Sequence, residues 1–363
     1  MVSRSGKKGA AQGERPARLI DVAHRAEVSR ATAARALGGY GLVGDETRER
    51  VLAAARELNY SANVVARAMR AGRTLTIGVV VADISNSFFS HATRAIIDTA
   101  AKAGYQTLVL NTDDDLAKEI DAVRVLMEKR VDGLIVVPSS STHHDHLVQE
   151  GELAKPLVLL DRKALGLTVP VVCTDDRGGA KAAVELFLER GHTRIGLLVA
   201  TAAARGGPEA TLPNDAVSTV HERVAGALEA IDAHRARKPI IRYCRSTIEE
   251  ARVGALELLT QKVPASAILA TNEEMTFGVL AACDELGLAV GKDVSLVSFD
   301  DTPWSRAIAP AVSVIRRPVY ALGHAAATAL IKEIRGEGRS GEIKLPVELI
   351  DRRSVAKPVK KSR

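Results

Sequence analysis

LIDVAHRAEVSRATAARAL, residues 19–37, reads as two short helices separated by a tight turn. Ile20, Val22 and Ala23 supply apolar positions of the first helix, and Val28 sits at the turn. Ser29 offers an N-cap oxygen to a second helix that carries Arg30, Ala31, Thr32 and Arg35. Small and basic residues near the start of a short helix suit a DNA major groove, whose base edges show distinct donor and acceptor patterns. The same residues also suit an ordinary αα-hairpin in a globular core. The rest of the chain has to decide between the two.

The charge is unevenly spread. Residues 1–75 hold fourteen Lys/Arg against seven Asp/Glu, while the net charge of all 363 residues is only +6, so the remainder is close to neutral. A basic head on a neutral body suits a polyanionic partner, although a solvated basic terminus would give the same count. The three cysteines, Cys173, Cys244 and Cys283, are far apart and form no CxxC pair. They suggest neither a disulfide framework nor a structural zinc, and fit a reducing cytosol. No apolar run follows the charged N-terminus, and no stretch approaches the ~20 apolar residues of a membrane span. The expected place is the cytoplasm, away from membranes.

Residues 1–17 are polar, basic and expected to be disordered. Gly38-Gly39-Tyr40-Gly41 breaks the second helix, and Asp45 precedes a third whose apolar face holds Val51, Leu52, Ala55 and Leu58. Three short helices in about forty residues bury little apolar area, so this head is marginal on its own. Residues 61–73, with Asn63 and Met69, have helix formers but are too few to hold a helix alone in water.

From Thr76 the pattern changes. TIGVVVADI, QTLVLNTD, DGLIVVPS, PLVLLDR, PVVCTDD, RIGLLVA, SAILATNEE, SLVSFDD and AVSVIRRP read as buried strands, with helices between many of them. Such alternation means mainly parallel sheet, and the length suits two sheets better than one. Polar residues gather where the strands end, among them Asp83, Asn111, Asp113, Asp161, Arg162, Asp176, Asn272 and Asp300. Ligands of open α/β sheets bind at that edge, although strand-end acids also cap helices. No GxSxG, HExxH or GxxxxGK[ST] signature occurs, so neither an enzyme nor a cofactor is expected. His143, His144 and His146 read as a solvated tract rather than a metal site.

Several motifs then fall in order: IDVAHRAEVSRATAARAL, ETRERVLAAARELNYSANVVARAM, TIGVVVADISNSFF, RVDGLIVVPSSS, DDRGGAKAAVELFLERGHTRIG, TNEEMTFGVLAACDELG and DVSLVSFDDTP. Over residues 18–353 the chain resembles LacI/GalR-family transcriptional regulators. The resemblance implies a small all-α helix-turn-helix head (18–60), a hinge helix (61–73) and an α/β periplasmic-binding-protein-like core (74–353). The core would comprise two Rossmann-like subdomains, 74–172 with 316–344 and 173–315 with 345–353, crossing near Cys173, Ile315 and Leu345, ahead of a basic tail (354–363). It implies a homodimer on pseudo-palindromic operator DNA, acting as a repressor controlled by a small-molecule effector such as a sugar. Arg30, Ala31, Thr32 and Arg35 fall where the family reads bases, and Ser29 and Asn63 where it holds phosphates. Met69 takes the place of a minor-groove wedge that is usually Leu. Asp83, Phe88, Asp161, Arg223, Asn272 and Asp300 match effector-contacting positions, and Phe88 and Trp304 could stack on a ring.

The chain also departs from the family. Glu27 stands for a usual Gly, Ala34 for Ser, Ala62 for Pro, Asp176 for Asn, Ala227 for an aromatic residue and Glu273 for Asp. Val217 stands where purine-binding relatives carry Arg. A transport solute-binding protein with the same core is the alternative; it calls for a signal peptide and no DNA head.

Overall fold

The computed structural model describes residues 17–38, 41–60, 73–149, 152–153, 155–201, 212 and 215–359. The chain falls into two compact units, Met1–Thr74 and Leu75–Arg363. The expected disordered terminus lies outside the described residues but for its last member. Most of the expected hinge helix, Asn63 and Met69 included, lies outside them as well.

The first unit contains α1 (Leu19–Arg25), α2 (Arg30–Gly38) and α3 (Asp45–Glu57). Ser29 starts α2 as its residue type suggests: its Oγ accepts the Thr32 N–H at 3.1 Å. α3 differs from expectation, because Gly44 is its N-cap and Asp45 already its first helical residue. The core consists of Val22, Val51 and six alanines. Leu52 is 38% exposed and Ile20 48% exposed, so two expected apolar positions face water. On α3 the buried stripe runs through Val51, Ala54 and Ala55, the i, i+3, i+4 spacing that one helix face allows. Glu27, in the turn between α1 and α2, has φ 54°, a left-handed backbone that its Cβ resists.

The second unit alternates strands and helices. Its first half runs β1 (Thr76–Val81), α4 (Ser87–Lys102), β2 (Gln106–Asn111), α5 (Leu116–Glu128), β3 (Gly133–Val136), a small hairpin of β4 (Val148–Gln149) and β5 (Glu152–Leu153), β6 (Leu157–Leu160) and β7 (Val171–Thr174). Then follow α6 (Asp176–Glu189), β8 (Ile195–Ala200), α7 (Ser218–Ala233), β9 (Ile240–Cys244), α8 (Ile248–Leu259), β10 (Ala267–Ala270), α9 (Glu273–Glu285), β11 (Ser295–Phe299), α10 (Pro303–Ala307) and β12 (Ser313–Arg316). α11 (Val319–Arg335), β13 (Glu342–Leu345) and β14 (Glu348–Ile350) complete it.

The strands form two six-stranded sheets, ordered β13-β7-β6-β3-β1-β2 and β14-β12-β11-β10-β8-β9. Within these two sheets all pairings are parallel except β12 with β14. Each sheet is covered on both faces, which is why its strands read as continuous apolar runs. Ile77 and Val79 pack with Ile96 of α4 and Leu330 of α11, while Val80 turns the other way onto Leu126 of α5. In the second sheet Leu197 and Val199 meet Phe187 and Ala227, and Leu198 meets Ala255 and Val279 on the opposite face.

The chain changes sheet between Thr174 and Asp176, between Arg316 and Val319, and between Leu345 and Glu348. Cys173 and Leu345 thus lie inside first-sheet strands and Ile315 inside a second-sheet strand, so the changes come just after those residues. The strands β9, β13 and β14 are absent from the sequence expectation. Burial pushes the thiols of Cys173 to about 12 and of Cys244 and Cys283 to about 11, so all three stay protonated and unreactive. Among the described residues no helix is long and apolar enough to cross a membrane.

Two predictions follow from this packing. Glu27→Gly removes the left-handed strain from an exposed position and should stabilise the first unit by about 1 kcal/mol, net of the extra freedom of the unfolded chain. Amide exchange across α1–α3 should slow by roughly fivefold; unchanged exchange would refute the strain. His192 is 2% exposed and lies 2.9 Å from Ser266 Oγ and 2.8 Å from the Ala356 carbonyl oxygen. Burial holds its pKa below the usual value. A lowered His pKa means that the unfolded chain takes the proton first, so this contribution is lost as pH falls below about 6.5. Urea unfolding at pH 7.5 and 5.5 should show a smaller loss of stability for His192→Gln than for the unaltered protein.

Candidate functional site

The described head presents one polar helix face. Val22, Ala33 and Ala36 turn inward, and Arg30, Ala31 and Arg35 remain exposed on the other side of α2. Among the described residues neither arginine has an ion-pair partner. Thr32 is half-buried, and its hydroxyl lies 2.9 Å from Ser29 Oγ. A helix of this kind offers two free guanidiniums and a small residue between them, the groups that bond guanine edges or phosphates.

In the second unit a cavity of about 600 Å³ is bounded by the carboxyl ends of strands from both sheets. Asp83, Phe88, Asp161, Arg223, Asn272 and Asp300 all line it, although they come from five separate segments. Parallel strands bring them together, because every β–α turn of a parallel sheet emerges at the same edge.

At the centre is Arg317, which sequence reasoning did not single out. It follows β12 at a change of sheet and is buried. Its Nε and Nη2 donate to the two carboxylate oxygens of Asp300, both at 2.7 Å, and Nη1 donates to Asp161 Oδ1 at 3.0 Å. Asp161 ends a first-sheet strand and Asp300 a second-sheet strand, so one guanidinium ties the lobes together. Both aspartates have left-handed backbone, φ 67° and 72°, which turns their side chains out of the strand direction. Burial works against charge on Arg317, but the carboxylates of Asp300 and Asp161 overcome it and hold its pKa above the usual range. Burial also pushes the Asp161 carboxyl up, against the pull of Arg317.

Phe88 lines the cavity from the first turn of α4. The Arg317 guanidinium carbon lies 3.6 Å from its ring centroid, so one ring face is already covered by a cation. Trp304 is outside the cleft altogether: it donates its indole N–H to Glu273 and packs on Phe277 at 4.5 Å between centroids. Trp304 thus has no place in the cleft, and one ring face of Phe88 is taken.

A second pair lies nearby. Arg223 Nε donates to Asp176 Oδ1 at 2.8 Å, and its guanidinium sits 4.2 Å from the Phe299 ring centroid. The pair depends on Gly226, since a Cβ there would collide with the Arg177 carbonyl oxygen; only glycine lets α7 approach α6 this closely. Asn272 caps α9 through Oδ1, which accepts the Met275 N–H at 2.9 Å, and its amide donates to Ser246 at 2.6 Å. Asp83 accepts the Ser85 N–H and hydroxyl at 2.8 and 2.6 Å.

Further contacts cross between lobes: Asn86 donates its amide to Glu274 at 2.9 Å, and the Lys163 N–H donates to Ser218 Oγ at 2.8 Å. The histidine tract is a correction. His146 is not solvated: its Nε2 lies 2.9 Å from Oε1 of buried Glu119, whose other oxygen accepts the N–H of cleft residue Ser139 at 2.6 Å.

Removing one member of the central network should therefore cost more than a surface pair would. Arg317→Met leaves buried Asp300 without a counter-ion and Asp161 with only Arg162 at 3.9 Å, and should lower unfolding stability by about 3–5 kcal/mol. Arg317→Met with Asp300→Asn should recover part of that loss. Urea titration of both variants tests this, and a loss below about 1 kcal/mol, the value of an exposed pair, would contradict it.

With this geometry in view, the family relations are clear. Residues 18–63 match the model of bacterial regulatory proteins of the lacI family. Residues 74–353 match that of periplasmic binding proteins and the sugar binding domain of the LacI family. The chain is 32% identical to the ribose operon repressor of Bacillus subtilis, over 94% of this chain and 99% of that one. It is 30% identical to the transcriptional repressor PurR of Proteus mirabilis, over 94% and 97% of the two chains. The Lac repressor dimer bound to operator and an anti-inducer superposes with a TM-score of 0.82 at 27% identity, covering 94% of this chain and all of that one. A LacI-family regulator from Enterococcus faecium with bound ribose superposes with a TM-score of 0.66 at 28% identity, covering 78% and 99%. A head and a core of these two kinds in one protein do not favour a transport binding protein, and the chain belongs to the LacI family of DNA-binding transcriptional regulators.

Proposed function

We propose that this protein is a homodimeric repressor that releases or grips a pseudo-palindromic operator according to a small molecule held between its two lobes. Residues 18–60 form the DNA-reading head, 61–73 the hinge, and 74–353 the effector-binding and dimerising core, with lobes of about 74–172 with 316–344 and 173–315 with 345–353. The observation that carries this reading is the pairing, in one chain, of an exposed arginine face on α2, without ion-pair partners among the described residues, with a carboxylate-lined cavity between two lobes.

On the operator, Arg30 and Arg35 bond base edges, Ala31 touches a thymine methyl, and Thr32 sets the helix start against the groove. Ser29 and Asn63 hold phosphates, and Met69 enters the minor groove as an apolar wedge. In the cleft, Asp83, Phe88, Asp161, Arg223, Asn272 and Asp300 surround the effector. Relatives named as ribose operon repressors, and a related structure holding ribose, support a sugar or sugar derivative in this role. The protein acts in the cytoplasm, where operator DNA is, and does no chemistry on its ligand. The effector acts through its different affinities for the operator-bound and free forms.

Operator binding by the purified full chain at matched salt tests the DNA assignments. Arg30→Ala should relax preference at one base of each half-site, with a loss of about 1–3 kcal/mol against the preferred base. Met69→Gln should reduce both affinity and DNA bending. If neither variant differs from the unaltered protein, these assignments are wrong.

A further inference from the structure

The charge of the cleft narrows what can occupy it. Among the described residues, seven aspartates and four arginines line the cavity. The arginines are already engaged. Arg317 serves Asp161 and Asp300, Arg223 serves Asp176, Arg162 serves Asp114, and Arg245 serves Glu250. Each is thus a counter-ion for the protein's own carboxylates and has no charge to spare for a ligand anion. Several acids have no such match: Asp83 takes only the Ser85 donors, and Asp115 caps α5.

One unused acceptor lies within this acidic wall. Asp161 Oδ2 accepts no hydrogen bond among the described residues and lies 3.9 Å from Arg162 Nε. That Nε is sealed from solvent and has no acceptor among the described residues, while Arg162 is 7% exposed and Asp161 4%. A hydroxyl satisfies Asp161 Oδ2, because it donates to the carboxylate. A carboxylate or phosphate oxygen can only accept, and would place its charge against Asp161. Leaving a buried polar group unpaired is the usual way a site rejects a close analogue.

We infer that the effector is a polyhydroxylated molecule without negative charge, and that the cleft rejects the phosphate ester and the acid of the same carbon skeleton. The inference rests on the cleft being the effector site. Calorimetric titration of the full chain with D-ribose, D-xylose and D-glucose, each beside its phosphate ester and its aldonic acid, tests it. An uncharged sugar should bind, and its two anionic counterparts should bind at least about tenfold more weakly. An anionic counterpart that binds as tightly as its parent overturns the charge rule, as does a panel in which nothing binds. A sugar held equally well by the unaltered protein and by Asp83→Asn and Asp300→Asn variants binds elsewhere; that outcome sinks the reading of the cleft and leaves the charge rule without its site.

Discussion

The guanidinium of Arg317 is the group on which the core depends. Two carboxylates at the ends of strands in different sheets share it, and each is nearly sealed from water. A buried carboxylate is tolerated only with a partner, so each lobe presents a surface that needs the other. Separating the lobes exposes or strands charge on both sides at once. The same group lies over Phe88, which fixes the plane of its donors. The cost of left-handed backbone at Asp161 and Asp300 belongs to the same arrangement, since strain persists where the surrounding structure over-determines it.

The rest of the site follows the same logic of internal neutralisation. Arg223 and Asp176 meet because Gly226 removes the side chain that would hold α7 away from α6. The Asp176 side chain also accepts the Thr174 hydroxyl at 3.0 Å, so the acid is held at the point where the chain leaves the first sheet. A network satisfied in this way specifies one geometry and leaves few free donors. What remains for a ligand is mostly acceptors, and that is a chemical preference built before any ligand arrives.

How much of this could be read from sequence depended on range. Buried parallel strands stand out as apolar runs, and most were legible for that reason. β9 was not, because Arg242 sits in its middle, buried and paired with Glu257 at 2.7 Å. β13 and β14 are short, charged and at sheet edges, so neither makes a continuous apolar run. The six expected cleft residues were found through motifs, yet Arg317 was missed. Arg316 and Arg317 look alike in sequence, but one is exposed and meets Glu348, while the other is buried between partners 17 and 156 residues away. His146 failed as an expectation in the same way, since Glu119 reaches it from α5. Local pattern marks which residues are available. It does not tell which of two adjacent charges is buried.

The head obeys a different constraint. Its core is largely alanine, so each burial contributes little, and the left-handed Glu27 subtracts from that small total. The core, by contrast, has apolar clusters on both faces of each sheet and a shared ion network between its lobes. A ligand shifts an equilibrium only by the difference in its affinity for two states, typically 1–3 kcal/mol between coupled sites. Such a difference is small beside the stability of a well-packed core and comparable with that of a marginal head.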